Sequence, residues 1–234
     1  MGVTTVVPGV LRMWFPAVDN NAFLVFGEEP TLIDCGPPRR LATVAKAVRR
    51  AELAPRGVRH VAVTHHHTDH TGNLTTVARA TGATVYAHAA DTPVVRAGAE
   101  RPRGKAHGPV GRLMLAMGRG FSRADPAPVH LEVADGRDLP AAGGLRCIHT
   151  PGHTPGHLSF LWPEAGGVLF VGDAAANMLR RLDIAPLNED QAAAGASFRK
   201  LADLEFEVAC FGHGSPIRAR AAAEFRRRLD RVAR

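Results

Sequence analysis

Lysine is almost missing from this chain. It occurs only at Lys46, Lys105 and Lys200, so arginine supplies nearly all of the 29 basic side chains and the formal net charge of +7. The arginines are spread along the sequence rather than gathered in one stretch. That pattern reads as a solvated surface, and nucleic acid is not expected as a partner. Cysteine is equally sparse: Cys35, Cys147 and Cys210 each sit in an apolar run. An odd, scattered set excludes a disulfide framework, suits a reducing compartment and leaves small buried filler as the role of each. No apolar run reaches the length of a bilayer, and the first residues lack a charged start followed by an apolar core. A cytoplasmic protein without a membrane partner is the expectation. There is no Gly-x-Ser-x-Gly elbow, so a serine nucleophile of that type is excluded. Linkers and low-complexity segments are also missing, so residues 1–234 read as one domain, long enough to bury a substantial core. Oligomeric state is left open.

What the sequence does contain is concentrated in Val61-Ala-Val-Thr-His65-His-His67-Thr-Asp69-His70-Thr-Gly72-Asn73. An apolar strand-like run ends in His65, His67, Asp69 and His70. His65 and His67 lie two apart, so in extended backbone both side chains leave on one side. Asp69 and His70 follow where the chain turns into a helix expected to begin near Thr71, and can face a second point nearby. A histidine-rich surface loop is the bland alternative. A carboxylate set among imidazoles directly after an apolar strand favours metal ligation instead.

The rest of the chain repeats this arrangement. Strands are expected over 10–15, 23–27, 31–36, 58–64, 84–88, 145–150, 157–162, 168–173 and 207–212. Helices are expected from Pro37-Pro38 through Val48, after Thr71 to a stop at Gly82, from a cap at Asn188-Glu-Asp-Gln191 through Leu204, and from Ile217 to Arg234. Three further strands end in potential ligands: one runs into Pro151-Gly-His153-Thr-Pro-Gly-His157, one into Gly172-Asp173 and one into Gly212-His213-Gly214. His157 and His88 read as packed or hydrogen-bonded histidines. Asp34 ends its strand beside Gly36 and is expected to accept a hydrogen bond that orients a ligand histidine. Residues 96–128, rich in Arg, Gly, Pro and Ala with Leu113, Met114, Met117 and Phe121 on one face, could form a lid or pocket wall. His107, Trp14 and the loop 174–186 are further candidates for substrate contact.

Two ligand sets can be assembled. His65, His67 and His153 suit one Zn²⁺, and Asp69, His70 and His213 suit another, with Asp173 as the bridge. Iron or manganese would also accept these donors. Water shared by two cations ionises near neutral pH and can attack a carbonyl or phosphorus. Asp69 and Asp173 are therefore the candidate catalytic carboxylates, and the substrate is expected to be a small molecule.

Taken together, H-x-H-x-D-H at 65–70, Thr150-Pro-Gly-His-Thr-Pro-Gly-His157, Gly172-Asp173, Gly212-His213-Gly214 and Leu-Ile-Asp34-Cys-Gly resemble the metallo-β-lactamase superfamily. The resemblance covers nearly the whole chain. It implies an α/β (α+β) fold, an αββα four-layer sandwich of two mixed β-sheets with helices on both outer faces, and the ligand roles given above. It also implies a hydrolase, and departures narrow the substrate. The commonest β-lactamases of this family carry cysteine where Asp173 stands, which argues against antibiotic hydrolysis. The helical carboxy-terminal region of glyoxalase II enzymes and the RNA-gripping arm of transfer-RNA processing members are not evident, and Tyr86 precedes the place where lactonases use a tyrosine. A binuclear hydrolase of small esters, thioesters or lactones is the expected activity. A mononuclear iron persulfide dioxygenase and a nuclease or nucleic-acid-binding member are the alternatives.

Overall fold

The computed structural model describes residues 2–54, 56–99, 105–106, 112–113, 116 and 124–232. The first half of the chain builds one sheet. Strands β1 (Gly2–Val7), β2 (Val10–Phe15), β3 (Asn20–Val25) and β4 (Thr31–Ile33) run antiparallel, and Glu28-Glu29-Pro30 falls in the β3–β4 turn. Helix α1 (Leu41–Arg50) then crosses to β5 (His60–Ala62), which lies parallel to β4. A short helical turn α2 (Thr68–Thr71) and helix α3 (Leu74–Thr81) lead to β6 (Thr84–His88), parallel to β5. Helix α4 (Thr92–Ala97) follows, and beyond a two-residue β7 (Lys105–Ala106) the strand β8 (Leu131–Val133) completes a seven-stranded sheet in the order β1-β2-β3-β4-β5-β6-β8.

The second half builds a five-stranded sheet. It uses β9 (Asp138–Leu139), β10 (Leu145–His149), β11 (Leu158–Trp162) and β12 (Val168–Gly172), then the hairpin β13 (Ala175–Met178) and β14 (Arg181–Ile184), which stands apart. A short β15 (Leu187–Asn188) pairs with β7, helix α5 (Gln191–Ala202) follows, β16 (Val208–Phe211) joins parallel to β12, and helix α6 (Ala221–Val232) closes the described chain. The sheet order is β16-β12-β11-β10-β9.

The period-two alternation of the strands decides the layering. In β12, Val168 and Phe170 face the first sheet while Leu169 and Val171 face α5 and α6. In β6, Tyr86 faces the second sheet while Val85 and Ala87 face α1 and α3. Strands apolar on both faces require cover on both faces, as parallel sheets do. Three apolar clusters result: helices against the first sheet, sheet against sheet, and the second sheet against helices. This is the expected αββα sandwich.

Several local expectations shift. Pro37 and Pro38 precede α1 rather than open it; the helix starts at Leu41 after Arg40. Asp190, not Asn188, caps α5, accepting from Ala193 N at 3.0 Å. Gln191 does reach back, accepting from Asn188 Nδ2 at 2.9 Å. The closing helix begins at Ala221, not Ile217. The loop 174–186 contains a hairpin. The Gly82 stop stands, with φ +72° and its N–H on Ala78 O at 2.9 Å. The lid expected at 96–128 falls largely outside the described residues, as do His107, Met114, Met117 and Phe121; Leu113 is exposed. No helix among the described residues is long and apolar enough to cross a membrane.

Candidate metal centre

The parallel strands β4 and β5 end at the same edge of the sandwich as the parallel pair β12 and β16. Chain leaving those ends carries Asp34, His65 to His70, Asp173 and His213. His153 arrives from the loop that leaves β10. The stretch 65–67 is not strand: β5 ends at Ala62, and His67 is the residue before α2, with φ −61° and ψ 146°. His65 and His67 nonetheless meet.

Three ring nitrogens converge. His67 Nδ1 lies 3.0 Å from His65 Nε2 and 2.9 Å from His153 Nε2. The partners of the opposite ring nitrogens fix the tautomers. His153 Nδ1–H donates to Leu187 O at 2.6 Å. Thr64 Oγ1 donates to Asp34 Oδ2 at 2.7 Å, so it accepts from His65 Nδ1–H at 3.0 Å. Both Nε2 atoms therefore present bare lone pairs, and His67 can offer a proton to only one of them. Three converging nitrogens with at most one proton among them fit a cation. Burial first, and positive neighbours after it, hold His65 and His67 well below the ordinary histidine range; burial also lowers His153, with Asp173 pulling the other way. These rings stay neutral at pH 7, the form that binds metal.

The second set has a different electrostatic character. Asp69 Oδ2 lies 3.4 Å from His213 Nε2 and 3.9 Å from His70 Nε2. His70 Nδ1–H donates to Asp34 Oδ2 at 2.7 Å, and His213 Nδ1–H donates to Asp19 O at 3.2 Å, so both Nε2 atoms turn inward. Burial opposes charge on every one of these groups. For Asp69 it is outweighed by His70 and His213, which hold the carboxyl below its usual range. For His70 it is outweighed by Asp173, Asp34 and Asp69, which raise the ring well above normal. For His213, Asp173 and Asp69 outweigh burial and lift the ring to about 10.

Asp173 lies between the sets. Its Oδ2 is 3.4 Å from His153 Nε2 and 3.2 Å from His213 Nε2, and its buried Oδ1 is 3.6 Å from His70 Nε2, an ion-pair distance beyond hydrogen-bond reach. Among the described residues, the groups able to share an ion are His65/His67/His153, His65/His70/Asp173 and Asp69/His70/His213, with donor atoms within 4.8 Å of one another in each. The donor chemistry, with the Asp173 carboxylate facing His70, His153 and His213, thus fits bound metal.

Backbone fitted to the site holds these groups. Asp34 has φ +60°, a left-handed conformation that aspartate tolerates, and this turns its carboxylate onto Thr64 and His70. Gly212 packs so closely that a Cβ would stand 2.0 Å from Asp173 Oδ1 and 2.8 Å from His70 Cε1. His157 Nδ1 meets Thr150 Oγ1 at 2.8 Å, and its Nε2 accepts from Asp173 N at 2.9 Å; it positions the carboxylate's backbone. His88 lies outside the centre, stacked on His149 at 4.1 Å between centroids. Sequence reasoning passed over Asn20, fully buried with Nδ2 3.0 Å from His70 Nε2, and over Thr64 and Asp91. The Asn20-Asn21 pair opening an apolar strand was the available signal.

Comparison with known proteins finds relatives by sequence and by fold. The sequence profile of the Metallo-beta-lactamase superfamily matches residues 16–213. A probable metallo-hydrolase, YflN of Bacillus subtilis (strain 168), is 27% identical over 219 residues, covering 86% of this chain and 82% of that protein. A hydroxyacylglutathione hydrolase of Cereibacter sphaeroides is 33% identical over 207 residues, 83% of this chain but only 62% of the relative's own length. Among solved structures, the Rm3 metallo-beta-lactamase aligns with a TM-score of 0.72 at 20% identity, covering 100% of this chain and 83% of the other. The SMB-1 metallo-beta-lactamase aligns at 0.71 and 21% identity over 91% of this chain and 80% of the other. Likeness at that identity carries the fold alone.

Proposed function

The chain belongs to the metallo-beta-lactamase superfamily and is a hydrolase of that fold; within it, we propose a binuclear metallohydrolase acting on small thioesters, esters or lactones. His65, His67 and His153 would hold one divalent cation, and Asp69, His70 and His213 the other, with Asp173 shared. The convergence of three imidazole nitrogens without enough protons to separate them carries this reading. The donors suit zinc, with iron or manganese as the other candidates. A bound metal pair supplies an ionised water at neutral pH and stabilises charge developing on the attacked oxygen.

The protein's own groups do the rest. Asp34, Leu187 O and Asp19 O turn His70, His153 and His213 so that Nε2 faces the reacting region. Asp69 and Asp173 stay ionised beside it, so each offers a carboxylate oxygen to a cation and can accept a hydrogen bond from water at the site. The names of the relatives, a hydroxyacylglutathione hydrolase and a thioesterase, favour the thioester class. One apolar cluster joins the two sheets, which supports reading residues 1–234 as one domain; 96–128 keeps its sequence-based assignment as pocket wall. The free, buried cysteines support a reducing, cytoplasmic setting.

Metal analysis of the purified protein, paired with a thioester, ester and lactone panel, tests the reading. Two equivalents of divalent metal and thioester hydrolysis lost on chelation and restored by zinc are expected. One iron per chain with oxygen uptake would overturn it in favour of a dioxygenase.

A further inference from the structure

Asp91 occupies the cap position of α4 but does not cap it: its side chain makes no hydrogen bond to that helix. Pro93 and the short helix make it read as a helix start, and the carboxylate would then be expected on the helix N–H groups. It is spent elsewhere. Oδ2 accepts from His66 N at 3.0 Å and from Thr154 Oγ1 at 2.8 Å, and it lies 3.1 Å from His66 Nδ1. Oδ1 accepts from Gly156 N at 2.9 Å. The residue is 1% exposed.

These partners belong to two segments far apart in the sequence. His66 sits between His65 and His67; Thr154 and Gly156 flank His153 on its far side. The two segments carry all three nitrogens of the first ligand set. Neither is tied down by regular structure at this point, because 65–67 lies beyond β5 and 151–157 beyond β10. Gly156 lets the loop come close: a Cβ there would stand 2.5 Å from Asp91 Oδ1.

We propose that Asp91 is a positioning residue that clamps the His65–His67 segment to the His153 loop and so sets the geometry of the three-imidazole site. The inference rests on the metal-centre reading above. A buried carboxylate shared by two loops acts on metal geometry as the orienting partners of ligand residues do, even though it touches no ligand side chain. Asparagine at 91 keeps the shape but sets an N–H₂ group against at least one donor that the carboxylate now accepts, because an amide has one acceptor oxygen and three N–H or O–H donors point at this position.

The test uses the full-length protein and zinc itself. Zinc affinities of wild type, Asp91→Asn, Thr154→Val and Ser197→Ala are measured by competition with a chromophoric chelator, alongside cobalt(II) spectra and melting temperatures. Ser197 anchors the same loop from the other side, through Oγ to Pro151 O at 2.7 Å, without linking the segments. Asp91→Asn should weaken one of the two zinc equivalents by roughly 10–100-fold and change the cobalt ligand-field bands, with the other equivalent unchanged. Thr154→Val, which removes one of the clamp's hydrogen bonds, should give a smaller change in the same equivalent. Ser197→Ala should lower the melting temperature while leaving zinc affinity intact. If Asp91→Asn lowers the melting temperature but keeps both affinities and the cobalt spectrum, the clamp is overturned and Asp91 is only a brace of the fold. If wild type itself binds no zinc, the metal-centre reading fails, and the clamp with it.

Discussion

The two ligand sets should bind metal with different proton bookkeeping. His65, His67 and His153 are held below the ordinary histidine range, so a cation entering there displaces no proton at neutral pH. His213 is lifted to about 10, so at pH 7 it is protonated and must lose that proton before Nε2 can bind. Three pH units at about 1.4 kcal/mol each cost the second set about 4 kcal/mol at pH 7, or about a thousandfold in affinity. Affinity there should rise at least about tenfold per pH unit from 7 toward 10, and more steeply over the range in which His70, also raised, is still protonated. The first set should be flat over the same range. The metal-free fold responds with the opposite sign. A ring raised above its unfolded value of 6.5 contributes stability fully present below that pH and lost as pH rises through about 10. Isothermal titration of zinc in buffers of different ionisation enthalpy counts the protons directly. Two equivalents bound with the same number of protons released, or a second equivalent whose affinity ignores pH between 7 and 9, would refute the reasoning.

Gly212→Ala should strip metal without removing a ligand, because its Cβ would stand 2.0 Å from Asp173 Oδ1; metal analysis showing full occupancy would count against the shared role of that carboxylate. Asp34→Ala frees both His70 and Thr64 and should reduce metal affinity or turnover by roughly 10–100-fold, read by chelator competition and kcat. Asp91 is held at about 2 against an ordinary 3.8, with His66 and the hydrogen bonds from Thr154 and His66 N outweighing burial; its contribution is present above 3.8 and lost as pH falls through about 2, so acid unfolding of Asp91→Asn should be shallower in that window. Phe170→Ala, buried between the sheets with its ring 5.5 Å from that of Phe23, should cost about 3–5 kcal/mol by denaturant titration.

The strands that make the core were legible because their signal is local. Val168 to Val171 are all apolar and end at Gly172, and a strand of that kind needs cover on both faces, which demands sheets with layers on either side. The ligands were legible for a related reason: imidazoles and carboxylates gathered at the ends of apolar runs have few other uses. The framework around them was not. Thr64 looks like one more strand residue, and its hydroxyl matters only because Asp34, thirty positions earlier, adopts a left-handed backbone that aims a carboxylate at it. Asp91 carries a stronger disguise, since Asp-Thr-Pro before a helix is what a cap looks like, and nothing nearby in sequence reveals that the side chain turns to His66 and Gly156 instead. The same holds for Gly212, whose missing side chain becomes meaningful only once Asp173 is known to occupy the space. Groups that bind announce themselves by type, whereas groups that orient are ordinary polar residues whose role is created by long-range packing. A mutational scan ranked on metal affinity should therefore return Asp34, Thr64, Asp91 and Gly212 beside the ligands, ahead of the exposed histidines and acids whose type alone would nominate them.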